Sequence, residues 1–343
     1  MIAETDALQP MDLLDIAVLI PCHNEAAAIA QVVTDFRQAL PSATVFVYDN
    51  NSTDDTAAVA AAAGAIVRSE PRKGKGNVVR RMFSDIEADV YVMVDGDDTY
   101  EAAAAPGMVR ALIEQRLDMV NGKRVTEIEK AYRTGHRFGN WMLTTLVGFC
   151  FGREFDDILS GFRVFSRRFV KSFPALSRGF ETETELTVHA LELRLPVAEV
   201  ETAYKDRPEG SVSKLNTYRD GLRILKTIIV LAKEERPLAF FSAIWAVLAM
   251  VSIGLAIPLF VTYFETGLVP RFPTAILATG CMLLAFASLT CGLVLDTVTR
   301  ARREMKRLAY LQMKQLQATG FGSADSRFRD CSRRGAPARA MTR

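Results

Sequence analysis

The stretch VMVDGDDTY, residues 92–100, decides the fold of this 343-residue chain. It completes an apolar run over residues 90–94 that predicts a buried strand, and the run stops at Asp95. Short strands that are apolar at every position are typical of parallel sheets covered by helices on both faces. Ligands bind to such sheets at the carboxyl ends of the strands. The acids that follow this strand therefore mark a candidate site.

The same pattern extends outward from this strand. We predict further strands over residues 16–20, 44–48, 65–68 and 118–120, and helices over residues 25–40, 54–63 and 76–86. This alternation indicates an α/β domain with a mostly parallel sheet. Polar residues follow the first two strands at 21–25 and 49–56. Neither GxGxxG nor GxxxxGK[ST] occurs after the first strand, so the two commonest nucleotide-binding motifs are excluded.

Asp95 and Asp97 suit a divalent cation. Two carboxylates separated by one residue can face the same ion at the end of a strand. Hard oxygen ligands select Mg²⁺ or Mn²⁺, which keep several waters and bridge to substrate phosphates. A solvated acidic turn is the alternative, and the two other polar strand ends weigh against it. We expect Mg²⁺ or Mn²⁺ as the cofactor.

Two long apolar segments follow the α/β part. Residues 238–264 and 272–295 contain no charged side chain, and such a run of more than about 18 residues can cross a membrane. We predict a transmembrane helical hairpin there and an N-terminal extension over residues 1–15. Residues 218–237 mix apolar and basic side chains as a helix in the membrane interface does. A core helix of the soluble domain is the alternative for that segment.

Charge is unevenly distributed along the chain. The net charge is +2, yet residues 300–343 contain twelve Lys or Arg and only three acids. Because this basic tail follows an apolar segment directly, we expect anionic membrane lipids and no nucleic acid as its partner. The positive-inside rule places the tail and the α/β part in the cytoplasm, so we expect a multi-pass protein of the inner membrane. Five cysteines without a CxxC pair, and an acidic N-terminus without a signal peptide, agree with that compartment.

Six motifs, taken in order, resemble those of family 2 glycosyltransferases with the GT-A fold. They are VLIPCHNE (18–25), VYDNNSTDDT (47–56), RKGKGNVVR (72–80), VMVDGDDTY (92–100), DILSGFRVFSR (157–167) and RPEGSVSK (207–214). The chain is most similar to the dolichyl- and polyprenyl-phosphate sugar transferases, of which several bacterial members carry a C-terminal membrane hairpin. The resemblance implies a GT-A catalytic domain over residues 16–217.

The resemblance also implies a pocket for a nucleotide-diphospho-sugar, with a UDP-sugar as the expected donor. Its lining would comprise residues at the ends of the first two strands, namely Pro21, His23, Asn24, Glu25 and Asp49, and we also expect Asn51 to bind the donor. Asp95 would contact the nucleotide side, and Asp97 would hold the cation on the diphosphate. Lys75 starts a predicted helix, where it could help to bind the donor phosphates. His23 and Asn51 depart from the pattern of many members, which leaves open whether the base is uridine or guanosine.

A lipid phosphate acceptor needs positioning more than a base, because a monophosphate is largely ionised at pH 7. Arginine binds phosphate through forked hydrogen bonds. By the resemblance, Arg124 and Arg137 would bind the acceptor phosphate, and we also expect Arg163, Ser213 and Lys214 among its ligands. Asp157 begins the subgroup signature, and we expect an essential carboxylate that lies near the acceptor or orients Arg163. Glu185 would be retained at a helix start, with Glu183 facing solvent or capping the helix.

We therefore expect an inverting glycosyltransferase that moves a sugar from a nucleotide diphosphate to polyprenyl (undecaprenyl) phosphate at the cytoplasmic leaflet. Small residues in the spans could also form a homo-oligomer. One alternative is a family 2 transferase for another lipid or glycan acceptor, although neither tryptophan lies in the Q/R-x-x-R-W motif of those enzymes. The other is a non-catalytic membrane scaffold, against which the retained aspartates argue. A transporter is disfavoured because neither span contains an ionisable residue.

Overall fold

The computed structural model describes residues 14–125, 155–176, 179, 181–205 and 233–313, together with residues 148 and 230. Its strands are β1 (Ile16–Cys22), β2 (Thr44–Asp49), β3 (Ile66–Ser69), β4 (Val90–Met93), β5 (Met119–Val125), β6 (Arg163–Ser166) and β7 (Val197–Ala203). Its α-helices are α1 (Ile29–Ala39), α2 (Thr56–Ala62), α3 (Lys75–Asp85), α4 (Ala105–Glu114), α5 (Arg167–Ser172), α6 (Thr182–Leu193), α7 (Pro237–Thr266) and α8 (Phe272–Gln312). A 3₁₀ turn over Ala102–Ala104 precedes α4.

The described strands form one sheet in the order β3-β2-β1-β4-β6-β5-β7. Strands β1 to β4 are parallel to one another, and β5 is parallel to β7. Strand β6 runs antiparallel to both of its neighbours, β4 and β5. The predicted mostly parallel α/β sheet is therefore confirmed. The antiparallel strand was not predicted, because β6 inserts between two strands that precede it in the chain.

Helices cover both faces of the sheet because successive strand residues are apolar. In β4, Tyr91 and Met93 pack into one core cluster with α3, α5 and α6. Val90 and Val92 point the other way, into a second cluster with α1 and α4. All four side chains are fully buried, and burial of one large apolar side chain contributes about 1.5–3 kcal/mol. This double cover holds the ends of the strands in place.

Strand register brings the functional motifs to one edge of the sheet. Cys22 is opposite Asp49 at the ends of β1 and β2, and Met93 at the end of β4 is opposite Arg163 at the start of β6. We call this the upper edge. The lower edge contains the other ends of the same strands, where Val90 is opposite Ser166.

Helices α7 and α8 form an apolar hairpin after the sheet. Ser252 Oγ donates to the Ala278 carbonyl at 2.7 Å, and Ser288 Oγ donates to the Phe241 carbonyl at 3.0 Å, so the helices are antiparallel. Gly292 permits their close approach, because a Cβ there would lie 2.9 Å from the Cβ of Phe241. Large apolar side chains cover the outside of the pair. Both helices are long and apolar enough to cross a membrane.

Helix α8 does not end with its apolar segment. It continues to Gln312 and therefore includes residues 300–312 of the predicted basic tail. Lys306 Nζ donates to Glu192 at 2.6 Å, and Arg302 donates to Glu235 at 2.8 Å. These basic side chains, which we assigned to lipid headgroups, are instead paired with acids of the same chain. Sequence patterns do not connect these acids with α8, because Glu192 and Glu235 lie 114 and 67 residues away from Lys306 and Arg302.

Tyr310 completes this contact near the lower edge. Its hydroxyl donates to Asp118 at 2.7 Å, and the guanidinium of Arg168 lies 4.7 Å from the centre of its ring. Asp118 is fully buried and also accepts hydrogen bonds from Arg168 and Ser166. We call the contacts of Arg302, Arg303, Lys306 and Tyr310 with Asp118, Glu192 and Glu235 the α8 clamp.

Several predictions fall outside the described residues. The interfacial helix over residues 218–237 lies largely outside them, as do most of the extension over residues 1–15 and the tail beyond residue 313. The domain boundaries drawn from the sequence stay predictions. Among the described residues, Cys281 and Cys291 are free thiols, in agreement with the sequence.

Candidate functional site

The loops after β1 and β2 are locked together at the upper edge. The Asn24 amide N–H donates to Ser52 Oγ at 2.9 Å, and the Thr53 N–H donates back to Asn24 Oδ1 at 2.7 Å. The Glu25 N–H donates to Thr56 Oγ1 at 2.9 Å. Asn24 has a φ of 54°, a left-handed conformation that asparagine tolerates better than most residues. The predicted residues from Pro21 to Glu25 are thereby held beside those of the second loop.

Asn50 and Asn51 connect the second loop to the segment before α3. Asn50 Nδ2 donates to the carbonyls of Glu70 and Arg72, both at 2.8 Å, and Asn50 Oδ1 accepts from the Gly74 N–H at 2.7 Å. Asn51 Nδ2 donates to the Pro71 carbonyl at 2.8 Å. These bonds explain why amides stand here. They fix the approach to Lys75 at the start of α3, and the sequence did not reveal the part of Asn50.

Asp49 presents an acceptor at the end of β2. One carboxylate oxygen, Oδ2, accepts from the Ser52 N–H at 3.2 Å. The other, Oδ1, is buried and has no donor among the residues that the structure describes. A buried carboxylate oxygen without a donor is costly. A hydroxyl or N–H of a ligand would satisfy it, which agrees with the predicted pocket.

Asp97 and Asp95 follow β4 in different environments. Asp97 is 5% exposed and accepts a hydrogen bond from the Thr99 hydroxyl at 2.6 Å. Asp95 is more exposed and lies against Gly161, where an added Cβ would be 2.2 Å from Asp95 Oδ2. The Gly161 N–H donates to the Tyr100 hydroxyl at 2.8 Å, which fixes this approach. Only glycine leaves room for the Asp95 carboxylate.

This pair fits a divalent cation that is shared with a substrate. No group of three or more His, Cys, Asp or Glu among the described residues could hold a metal by itself. Mg²⁺ and Mn²⁺ do not need such a cage, since they are commonly bound by one or two carboxylates, waters and substrate phosphates. Asp95 and Asp97 supply two hard carboxylates separated by one residue, and Gly161 leaves the room that the Asp95 carboxylate occupies.

Lys75 lies between two acids. Its ammonium contacts Asp95 Oδ1 at 2.5 Å and Glu183 Oε1 on its other side. Although burial lowers the pKa of Lys75, the two carboxylates raise it above its ordinary value, so the side chain is charged. Glu183 is 5% exposed. The expectation that it faces solvent or caps the helix is wrong, because α6 points its first turn toward the upper edge.

Arg124 and Asp157 form a second ion pair near this edge. Arg124 Nε donates to Asp157 Oδ2 at 2.7 Å, and Nη2 donates to Oδ1 at 2.8 Å. Burial raises the pKa of Asp157, but the hydrogen bonds and charge of Arg124 outweigh it and lower the pKa below its ordinary value. Arg124 also lies 5.5 Å from the ring centre of Tyr204. Asp157 therefore orients Arg124, rather than Arg163.

The prediction that Arg163 binds an acceptor phosphate is wrong. Its side chain is fully buried and donates to the carbonyls of Ser160 and Ile158 at 2.9 and 2.6 Å and to Thr187 Oγ1 at 2.9 Å. Burial lowers its pKa to about 10. Arg163 instead holds the turn from Asp157 to Gly161. Arg137, Ser213 and Lys214 lie outside the described residues and stay predictions.

Glu199 is a further support that the sequence did not reveal. It accepts from the Asp156 and Asp157 N–H groups at 2.8 and 3.2 Å and from Asn121 Nδ2 at 2.8 Å. Asn121 Nδ2 also donates to the Asp157 carbonyl at 2.7 Å. The motif after residue 157 is thus bound to β5 and β7 as well as to Arg124. The alternation of side-chain direction along β7 is the local sequence signal that could have indicated this role of Glu199.

The chain is similar in sequence to known glycosyltransferases. The family model described as "Glycosyl transferase family 2" matches residues 17–173. Glycosyltransferase AglJ of Haloferax volcanii is 34% identical over 301 residues, which are 87% of this chain and 98% of that protein. The dolichyl-phosphate hexose transferase of the same organism is 28% identical over 222 residues, 65% of this chain and 96% of its own length.

A solved structure shows the same fold. It is glucosyl-3-phosphoglycerate synthase from Mycobacterium tuberculosis, crystallised with Mn²⁺, UDP-glucose and phosphoglyceric acid. The TM-score is 0.52 at 24% identity, and the match covers 65% of this chain and 80% of the other. The sheet is therefore of the GT-A type, as the motifs implied.

Proposed function

Because the chain belongs to glycosyl transferase family 2, and is thus a glycosyltransferase, we propose that it moves a sugar from a nucleotide-diphospho-sugar to a polyprenyl phosphate. The observation that carries the proposal is the α8 clamp, which ties the apolar hairpin to the domain that contains Asp95 and Asp97. A transferase domain fixed to a hairpin of this kind meets its acceptor at a membrane surface. A phosphate-bearing lipid is the acceptor that this surface offers.

On the donor side, the chain provides a hydrogen-bond acceptor, a lysine ammonium and two carboxylates. Asp49 Oδ1 would accept a hydrogen bond from the nucleoside, and a UDP-sugar is the first candidate donor. Asp95 and Asp97 would hold Mg²⁺ or Mn²⁺, which when bound neutralises the diphosphate as it leaves. The charged Lys75 ammonium lies beside Asp95 and adds a second positive charge to the same place.

On the acceptor side, Arg124 is the described residue with the required chemistry. Asp157 holds its guanidinium through two hydrogen bonds. A lipid monophosphate is largely ionised at pH 7, so its oxygen can attack the anomeric carbon without a base. The bond to the nucleotide diphosphate breaks as the new bond forms, which inverts the anomeric centre. Arg124 would lower the repulsion between this phosphate and the donor diphosphate, together with Arg137 of the sequence motif.

The hairpin sets the expected location. Helices α7 and α8 would cross the inner membrane, with the loop between them on the far side and the transferase domain in the cytoplasm. The paired basic residues of α8 begin directly after its apolar segment. This arrangement would hold the transferase domain at the cytoplasmic leaflet, where the headgroup of a lipid phosphate lies.

The test is a transfer assay with the full chain in detergent. Labelled UDP-sugars and GDP-sugars are incubated with undecaprenyl phosphate and Mn²⁺, and the lipid extract is analysed by mass spectrometry. We expect one donor to give a labelled lipid and Asp97→Asn to lower the rate by more than about 100-fold. Glu87→Gln is the matched control, since Glu87 is an exposed acid near the lower edge whose loss leaves the site intact.

The outcomes separate the alternatives. Labelled lipid with the wild type, and none with Asp97→Asn, supports the proposal. In a parallel incubation with phosphoglyceric acid, transfer to that compound but not to the lipid would replace the acceptor by a soluble phosphate compound. Absence of product from every donor, with correct folding, would favour a scaffold or another lipid or glycan acceptor.

A further inference from the structure

Glu183 lies in the donor site although nothing in its sequence context assigns it there. It belongs to the first turn of α6, at the upper edge, and its side chain is 6% exposed. Its Oε1 atom contacts the Lys75 ammonium, which contacts Asp95 Oδ1 on its other side. The buried Lys75 ammonium is thus held between two carboxylates, and one of them, that of Asp95, is a candidate metal ligand.

Glu183 is incompletely satisfied in this arrangement. Its second oxygen, Oε2, is buried and receives no hydrogen bond from any residue within the described ranges. Burying a carboxylate oxygen without a donor costs free energy. Stability of the fold therefore does not explain why a glutamate stands here.

Competition between two cations for Asp95 explains why a glutamate stands at position 183. The ammonium of Lys75 and a divalent cation would both bind the Asp95 carboxylate, which is the more accessible of the two aspartates. When Asp95 binds the metal, Lys75 loses one of its two partners. An unpaired buried ammonium is costly, so the metal binds more easily if a second anion retains the lysine.

We propose that Glu183 is a positioning residue for donor binding, which acts through Lys75. It retains the ammonium beside the position of the diphosphate while Asp95 binds the divalent cation. The inference rests on the proposed nucleotide-sugar donor and its metal. In Glu183→Gln, Asp95 becomes the only anionic partner of Lys75 among the described residues, and the site loses one negative charge. Both changes oppose binding of a divalent cation.

The experiment measures metal-dependent nucleotide binding without catalysis. UDP, and GDP in parallel, is titrated into the full chain in detergent by calorimetry at a series of Mn²⁺ concentrations. We expect Glu183→Gln to raise the Mn²⁺ concentration needed for half-maximal nucleotide binding about tenfold, the size typical of losing one charged partner. Binding at saturating Mn²⁺ is expected to stay within about threefold of the wild type, because the metal then compensates.

Glu192→Gln is the matched control. Glu192 is a buried glutamate of the same helix and is also paired with a lysine, Lys306, but in the α8 clamp. We expect this variant to melt at a lower temperature with an unchanged Mn²⁺ requirement. Glu183→Asp keeps the negative charge but places it one methylene further from Lys75. An intermediate Mn²⁺ requirement is therefore expected.

Each outcome decides the inference. An Mn²⁺ requirement equal to that of the wild type in Glu183→Gln would overturn it and leave the proposed function standing. If Glu183→Gln does not fold, an unchanged requirement in Glu183→Asp would overturn it in the same way. If the wild type itself binds neither nucleotide with Mn²⁺, the proposed donor and the inference both fall.

Discussion

The substitution Asp157→Asn tests how the chain uses its second ion pair. Asp157 accepts two hydrogen bonds from the Arg124 guanidinium, at 2.7 and 2.8 Å, and one from the Arg124 N–H at 3.2 Å. An asparagine keeps only one acceptor oxygen, and its amide donors face the donors of the arginine. The substitution therefore removes a charge and at least one strong hydrogen bond while preserving the size of the side chain.

The expected loss of stability follows from the burial of the pair. The side chains of Arg124 and Asp157 are 15% and 8% exposed. Breaking a buried pair costs about 3–5 kcal/mol, and the partial exposure of Arg124 reduces this to about 2–4 kcal/mol. At about 2–4 °C per kcal/mol for a domain of this size, the melting temperature should fall by about 4–16 °C.

The pH dependence gives the sign of the effect. The pKa of Asp157 is lowered in the folded chain, so its contribution is present above the unfolded pKa near 3.9. The contribution is lost as the pH falls through the folded value. The stability difference between wild type and Asp157→Asn should therefore be constant from pH 7 to pH 5 and shrink in stronger acid. Thermal melts across this range measure it.

Kinetics separate a positioning role from that of a base. If Asp157 orients Arg124, transfer to polyprenyl phosphate should fall about 10- to 100-fold, with nucleotide binding unchanged. The acid limb of the pH–rate profile, which reflects the acceptor phosphate near pH 6, should persist in the variant. Asp156→Asn is the control, because Asp156 is 74% exposed and pairs with Lys123. A folded Asp157→Asn enzyme whose residual transfer has no acid limb, or which gives no transfer at all, would refute this reasoning.

Three further predictions concern other parts of the molecule. Gly161→Ala should abolish Mn²⁺-dependent nucleotide binding in calorimetry, because its Cβ would overlap the Asp95 carboxylate; unchanged binding would mean that Asp95 is not a ligand. Lys306→Glu should lower the melting temperature by several degrees, and the double variant with Glu192→Lys should restore part of it, since the two form one buried pair. Burial lowers the pKa of His189 to about 3, so protonation of the unfolded chain should reduce the free energy of unfolding by about 2 kcal/mol from pH 7 to pH 5; His189→Gln should remove that slope in denaturant titrations.

Much of the sheet could be predicted because its signals are local. Each of the first four strands is an apolar run that ends at a polar motif, and parallel strands carry such motifs to one edge. The positions of Asp49, Asp95 and Asp97 follow from that rule alone. The apolar hairpin could be predicted equally well, because an uncharged apolar segment of this length is typical of a membrane-spanning helix.

The ion pairs could not be predicted because their partners are remote in sequence. Tyr310 and Asp118 are separated by 192 positions, and no periodicity connects them. Glu183 lies in a run of alternating acids and threonines, in which nothing local distinguishes a buried acid from an exposed one. Arg163 stands in a motif that suggested a ligand, and only its burial among backbone carbonyls revealed a structural role.

The length of α8 makes the catalytic domain sensitive to the count of residues between the hairpin and Tyr310. An uninterrupted helix advances about 1.5 Å and turns about 100° with every residue. One inserted residue after Thr299 would swing Tyr310 and Lys306 by more than a quarter of a circle, away from Asp118 and Glu192. An insertion of seven residues would restore their angular phase but move the contact by about 10 Å along the axis. Both the distance of the active site from the hairpin along the α8 axis and its rotation about that axis are therefore set by the number of residues from Thr299 to Tyr310.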